Sequence, residues 1–151
     1  MINVKICTNW MGEWILSDVR TVAERFIEHL ENKRVVDAFG MIGENGRYIM
    51  IGSTPISGIC DGSAAFMNKM GSVLSELADP PRLQRKEIIV DGDRAVILAS
   101  ASGTALGGRP YVQPHLAFVV RVEGDGFAEL IEFADTVMIE QAYFNQILVP
   151  A

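Results

Sequence analysis

Cysteine is scarce in this chain, since Cys7 and Cys60 are the only two among 151 residues. A disulfide framework needs several paired cysteines, and a zinc site needs closely spaced cysteines or histidines, so the sequence favours neither. Such cysteine usage is typical of a reducing compartment. We therefore predict a cytoplasmic protein without a metal site.

Basic residues are also few, because 13 lysines and arginines stand against 19 aspartates and glutamates. The formal net charge is −6, and the basic residues form no stripe. Proteins that bind nucleic acid place clustered basic side chains against the phosphate backbone. We predict no nucleic-acid partner.

Long apolar runs are missing as well. No segment approaches the roughly 20 uninterrupted apolar residues of a membrane span. Residues 1–16 mix Asn3, Lys5, Asn9 and Glu13 with two tryptophans, and so lack the continuous apolar core of a signal peptide. We expect neither a membrane association nor a secretory leader.

The apolar residues that are present suffice for one core. Hydrophobic residues make up 49% of the chain and charged residues 21%. A chain of this length corresponds to one domain, and it can bury roughly 70% of its unfolded surface. We therefore expect a single globular domain with room for an internal pocket.

Three segments in the first half have helical periodicity. The first is amphipathic and begins after Ser17, a good N-cap residue. Its apolar face comprises Val19, Val22, Ala23, Phe26, Ile27 and Leu30. A short second helix begins at Val35, and a third begins after Asp61 and is stopped by Asp79-Pro80-Pro81.

The remaining segments are typical of β-strands. One strand is predicted over 47–51, and four more follow the third helix at 82–90, 94–104, 111–123 and 127–137, separated by glycine-containing turns. The last four succeed one another without helices, which favours antiparallel hairpins. This order predicts an α+β fold, with helices on one face of a curved sheet.

Five short segments, in this order, resemble one known family. They are the helix opening at 17–30, Gly-Ser-Thr-Pro-Ile-Ser-Gly at 52–58, Asp-Gly-Asp at 91–93, Gly-Arg-Pro-Tyr at 108–111 and Ile-Glu-Phe-Ala-Asp-Thr at 131–136. The chain thereby resembles the SnoaL-like branch of the nuclear transport factor two-like superfamily, which includes ketosteroid isomerases, scytalone dehydratase and limonene epoxide hydrolase.

The resemblance implies a cone, in which a curved antiparallel sheet wraps around three N-terminal helices and encloses an apolar cavity. The cone would span residues 17–145, with an N-terminal extension at 1–16 and a C-terminal tail at 146–151. Relatives often form dimers through the open sheet face. A homodimer is therefore expected, with Val119, Arg121, Glu132 and Ala134 near its interface.

The resemblance also implies a function. It suggests an isomerase, cyclase or dehydratase without a cofactor, in which an acid in the apolar cavity acts on a small hydrophobic carbonyl compound. The alternative is a non-catalytic module of the same fold that binds a small ligand or dimerises.

Asp135 is the predicted catalytic acid. Strand alternation groups it with Ile131 and Phe133, whose apolar character suits the interior. A carboxylate in an apolar wall has a raised pKa and becomes a better base near neutral pH. The alternative is that Asp135 ends the strand and caps a helix over 136–144.

His115 is the second catalytic candidate, because histidine is well suited to proton transfer at neutral pH. Strict alternation, however, groups His115 with Val119 and turns it outward, unless Pro114 marks a bulge. The other histidine, His29, is predicted at the surface. Glu132 and Arg121 are predicted on the outer face of the sheet.

Five further residues are predicted to line the cavity and contact the ligand. Tyr48 and Tyr111 are candidate hydrogen-bond donors to a ligand oxygen, although a tyrosine on a sheet is often there for packing. Phe118 and Phe133 would contribute apolar walls, as would Ile49.

Two of these positions also argue against ketosteroid isomerisation. Alignment with ketosteroid isomerases puts Ile49 at the proton-shuttling base and Phe118 at the oxyanion-hole acid. Residues 95–102 likewise lack the arginine and aspartate of limonene epoxide hydrolase. The resemblance therefore favours one acid with one histidine over either of those catalytic sets.

Overall fold

A six-stranded curved sheet packs around the first three helices in the computed structural model. The structure describes residues 7–8, 14–15, 18–75 and 77–149. The helices are α1 (Val19–Glu31), α2 (Val35–Gly40), α3 (Gly62–Leu74) and α4 (Thr136–Tyr143). A short two-stranded sheet pairs β1 (Cys7–Thr8) with β2 (Trp14–Ile15). The strands of the main sheet are β3 (Ile42–Met50), β4 (Gly58–Asp61), β5 (Leu77–Asp91), β6 (Arg94–Ala105), β7 (Pro110–Glu123) and β8 (Gly126–Phe133).

The strand order of the main sheet is β4-β3-β8-β7-β6-β5. The last four strands form the three successive antiparallel hairpins that the turn residues predict. β3 joins them by pairing with β8 in parallel, whereas β4 folds back on β3 in antiparallel orientation. The predicted α+β fold is confirmed, with one parallel pair inside an otherwise antiparallel sheet.

The core lies between the sheet and α1. Phe26 of α1 is fully buried, and its ring makes edge-to-face contacts with Phe39, Phe118 and Phe127 at centroid distances of 5.6, 5.1 and 5.2 Å. Such aromatic contacts add to the burial of apolar area, so this cluster fixes α1 against the sheet.

Two helix ends differ from the prediction. Asp18 caps α1 by accepting a hydrogen bond from Arg20 N, while the predicted cap, Ser17, lies outside the described residues. α3 ends at Leu74, so the prediction that 79–81 stops it is wrong. Those residues lie in β5, which tolerates two prolines because it is an edge strand of the sheet.

The outer face of the sheet carries one continuous apolar row across all six strands. Its members are neighbours in register, in the order Ile59, Ile49, Ile131, Val119, Val96 and Ile89. The side chains at the two ends of the row, Ile59 and Ile89, are exposed. A second, shorter row of Leu98, Ala117 and Phe133 runs beside it.

None of the helices in the described part of the chain is both long and apolar enough to span a membrane. The described residues also contain no group of three or more histidine, cysteine or acidic side chains arranged to hold a metal ion.

Candidate functional site

A cavity of about 90 Å³ lies between the inner face of the sheet and the helices. Its volume leaves room for several water molecules or a small organic molecule, at roughly 10–15 Å³ per water. Most of its lining is aliphatic or aromatic. The polar groups that the described lining residues contribute come from one carboxyl and three phenols, those of Glu132, Tyr48, Tyr111 and Tyr143.

Glu132 lies on the inner face of β8, where it is paired in register with Met50 of β3 and Phe118 of β7. The Tyr48 hydroxyl donates a hydrogen bond of 2.8 Å to Glu132 Oε2. Tyr48 is itself buried, and its hydroxyl also lies 3.4 Å from Met50 Sδ. The carboxyl is thus fixed by a phenol and surrounded by apolar side chains.

Burial raises the pKa of Glu132 to about 7, and the hydrogen bond from Tyr48 opposes part of that rise. No lysine, arginine or histidine of the described chain lines the cavity. The four ion pairs among the described residues are all elsewhere. With a pKa of about 7, Glu132 is near half ionisation at neutral pH, and no cation among the described residues neutralises it.

Tyr111 and Tyr143 form a second polar pair beside the carboxyl. Their rings are stacked with centroids 4.8 Å apart, and both side chains line the cavity. Burial raises the pKa of both phenols well above the ordinary value, and the charge of Glu132 adds to the rise in each. Both phenols therefore stay protonated at neutral pH and remain hydrogen-bond donors.

Gln113 holds the end of β8 in place behind this pair. It is fully buried, and its side-chain amide accepts from Asp135 N at 2.8 Å and donates to Asp135 O at 2.9 Å. It therefore fixes the turn from β8 into α4, the helix that carries Tyr143. Gln113 could have been identified from the sequence as an inner-face residue, since it lies two residues after Tyr111 on β7.

The structure places the predicted acid, Asp135, outside the cavity. Its side chain is exposed, and Asp135 Oδ1 accepts hydrogen bonds from Val137 N at 3.0 Å and Met138 N at 3.3 Å. Asp135 is thus the N-cap of α4. The prediction that Asp135 shares an interior face with Phe133 is wrong, and the alternative of a helix cap is confirmed.

The reason is a bulge in β8. Arg121 pairs with Glu129, but Val122 pairs with Phe127, so β8 holds one extra residue between these pairs. Phe127 and Leu130 are consequently both buried although they are three residues apart. An extra residue reverses the alternation of the strand. Glu132 therefore turns inward, which corrects its predicted position on the outer face.

The other predicted site residues divide between the two faces. Tyr48, Tyr111 and Phe118 line the cavity. Ile49 and Phe133 lie on the outer face, because the inner positions of their strands are taken by the flanking residues. The prediction that these two line the cavity is wrong.

The histidines lie away from the cavity. β7 does hold an extra residue at Pro114–His115, yet His115 does not turn inward: it is exposed, in an outer groove with Lys86 and Phe133. At that position His115 does not line the cavity. His29 is half-buried rather than at the surface, and its Nδ1 has no hydrogen-bond partner among the described residues.

Comparison with known proteins identifies the fold but no close relative. No family model matches the sequence, and no curated protein matches it. An NTF2-like protein of unknown function from Burkholderia pseudomallei is 19% identical, with a TM-score of 0.73 over 84% of this chain and 98% of that chain.

Two further solved structures have the same fold. TerC, co-crystallised with polyporic acid, is 16% identical, with a TM-score of 0.71 over 83% of this chain and 98% of that chain. A protein from Jannaschia assigned as a SnoaL-like polyketide cyclase is 13% identical, with a TM-score of 0.66 over 85% of this chain and 93% of that chain. At these identities the likeness shows the fold, which is the NTF2-like cone that the sequence resembles.

Proposed function

We propose that the cavity is the active site of an enzyme that transfers a proton on a small, uncharged, hydrophobic carbonyl compound, with Glu132 as the general base. The observation that carries this proposal is the Glu132 carboxyl in an apolar cavity, held by Tyr48 and with a pKa of about 7. A base with a pKa near the working pH is ionised often enough to act and still takes up a proton readily.

The chemistry follows from the positions of the acid and the phenols. The Glu132 carboxylate removes a proton from the carbon next to the carbonyl, and the electron pair of that C–H bond becomes the double bond of an enolate. Charge then develops on the carbonyl oxygen. The Tyr111 hydroxyl lines the cavity and stays protonated at neutral pH, so it donates a hydrogen bond to the substrate oxygen.

The enolate has three outcomes in this cavity. The Glu132 carboxylic acid returns the proton to a different carbon in an isomerisation. In a cyclisation the enolate carbon attacks a second carbonyl of the same molecule, and the alkoxide formed takes the proton from the Glu132 carboxylic acid. In a dehydration the enolate re-forms the carbonyl and expels a β-hydroxyl, which takes the Glu132 proton and leaves as water. A carboxyl and phenols carry all of these steps, so the proposed chemistry requires no cofactor.

The fold comparison supports the proposal at the level of the scaffold. One neighbour is assigned as a SnoaL-like polyketide cyclase, and another was crystallised with polyporic acid. Others of the same fold have no known function. A cytoplasmic location belongs to the same proposal and is favoured by the free, buried thiol of Cys60.

The second candidate is a binding module that uses the same cavity without chemistry. Phe118 favours it, because this inner-face position, where ketosteroid isomerases are expected to carry an acid, is apolar and fully buried here. The carboxyl and the phenols would then fix the orientation of a ligand.

Exchange of α-protons in D₂O separates the two candidates. Small ketones that stabilise the protein in a thermal-shift screen are incubated with the wild type, Glu132→Gln and Glu129→Gln, and deuterium uptake is followed by NMR. Glu129 is a matched control, since it lies on the same strand and is paired with Arg94. We expect exchange in the wild type and Glu129→Gln, and a loss of at least about 100-fold in Glu132→Gln. Ligands that bind all three proteins and exchange in none would favour the binding module.

We also propose that the outer sheet face joins two copies of the chain. The apolar row from Ile59 to Ile89 supports this proposal, because an apolar stripe across a whole sheet is unusual on a monomer surface. Val119 and Arg121 lie on that face as predicted, whereas Glu132 does not.

A further inference from the structure

Among the described residues, the Glu132 carboxyl has no cationic partner, and this determines which ligands the cavity selects. The groups that face it are Tyr48 from β3, Tyr111 from β7 and Tyr143 from α4, and each is a neutral phenol. No basic side chain of the described chain lines the cavity. Removing a carboxylate from water without a paired charge is costly, so a ligand that brings a positive charge relieves this cost.

The walls around the carboxyl are suited to the same kind of ligand. Five aromatic rings line the cavity, those of Phe39, Tyr48, Tyr111, Phe118 and Tyr143. Aromatic faces attract cations whose charge is spread over alkyl groups, and the attraction is larger where water is excluded. The remaining lining is aliphatic, which suits the alkyl groups of such a cation.

We propose that the cavity binds small lipophilic ammonium ions, with the cationic nitrogen against the Glu132 carboxylate and the alkyl groups against the aromatic walls. Carboxylate ligands of the same shape are excluded by the same charge. The inference uses the site of the proposed function but does not depend on its reaction. An ammonium ion would occupy the substrate position and act as a competitive inhibitor of proton exchange.

The binding of a cation is linked to the ionisation of Glu132. Only the carboxylate form attracts the cation, and its pKa is about 7 in the free protein. The fraction ionised rises about tenfold between pH 6 and pH 8 for such a group. A permanently charged ligand should therefore bind about tenfold more tightly at pH 8 than at pH 6, and its binding should release a proton.

Three probes of one shape isolate the effect of charge. Choline carries a permanent positive charge, 3,3-dimethylbutan-1-ol has carbon in place of its nitrogen, and 3,3-dimethylbutanoate is the corresponding anion. Below, the last two are called dimethylbutanol and dimethylbutanoate. Calorimetry at pH 8 measures the affinity, and calorimetry at pH 6 in two buffers of different ionisation enthalpy measures the proton release, because Glu132 is mostly protonated there before the cation binds. We expect choline to bind at least tenfold more tightly than dimethylbutanol, and dimethylbutanoate to bind more weakly than either.

Glu132→Gln should remove the preference for choline, whereas Glu129→Gln, which removes a charge from the same strand outside the cavity, should keep it. If Glu132→Gln does not fold, the tenfold difference between pH 6 and pH 8 in the wild type tests the same point. Equal binding of choline and dimethylbutanol at pH 8 would overturn the inference. If choline is not preferred over its uncharged analogue, the test of α-proton exchange is unaffected. If choline binds but no compound shows α-proton exchange, only the proposed function is contradicted.

Discussion

The Tyr48 hydroxyl and the Glu132 carboxyl meet at 2.8 Å across the parallel pair of β3 and β8, although 84 residues separate them in sequence. The phenol holds the carboxyl in place by this hydrogen bond. Burial, and then the charge of the carboxyl, raises the pKa of the phenol. The two therefore form one unit, and its properties can be measured separately from any substrate.

The first prediction concerns stability and pH. The pKa of Glu132 is about 7 in the folded protein against an ordinary value of 4.5, so between these values the folded state binds more protons than the unfolded state. The free energy of unfolding should therefore fall as the pH rises through this window, by up to about 3 kcal/mol. Glu132→Gln removes this loss. We expect the variant to match the wild type near pH 5 and to be more stable at pH 8, as measured by urea unfolding. An equal difference at both pH values would contradict the raised pKa.

The second prediction concerns the hydrogen bond from Tyr48. That bond stabilises the carboxylate and lowers the pKa of Glu132, so Tyr48→Phe should raise this pKa by about one unit or more. NMR titration of the Glu132 carboxyl carbon measures the change. Tyr143→Phe is the matched control, because Tyr143 lines the same cavity and stacks on Tyr111, whereas the phenol bonded to the carboxyl is Tyr48. A pKa that falls or stays constant in Tyr48→Phe would show that the phenol does not stabilise the charge.

Much of the scaffold could be predicted from the sequence, because local patterns determine it. The apolar spacing from Val19 to Leu30 gives α1, and the glycine-containing turns at 91–93 and 124–126 give two of the hairpins. β4 was missed, since its four residues have a buried side chain only at Cys60 and so lack a clear alternation.

The site could be predicted only in part, because its geometry depends on two features without a local signal. One is the bulge that reverses the alternation of β8 and exchanges the faces of Glu132 and Phe133. The other is the parallel pairing that brings β3 beside β8. Tyr48 and Tyr111 could be found because the alternation is regular around each of them, with Met50 and Gln113 buried two residues further on.

The third prediction separates Asp135 from the chemistry. Asp135→Ala removes the oxygen that accepts from Val137 N and Met138 N, which should cost about 1 kcal/mol of stability. Asp135→Asn keeps an N-cap oxygen, so its stability should stay close to that of the wild type. In both variants the pH dependence of α-proton exchange near pH 7 should persist, because that dependence is assigned to Glu132. Loss of this pH dependence in Asp135→Asn, with the fold intact, would show that Asp135 takes part in the reaction.

The fourth prediction concerns the outer sheet face. Phe133 is 41% exposed on that face, in the row beside Ile131 and Val119. A dimer through the face would bury Phe133, so Phe133→Lys should place a charge in the interface and separate the copies. Val36→Lys is the control, because Val36 is 62% exposed on α2, away from the sheet. Sedimentation should give twice the 16.6 kDa chain mass for the wild type and Val36→Lys, and the single mass for Phe133→Lys. A wild type that is monomeric at micromolar concentration would rule out this interface.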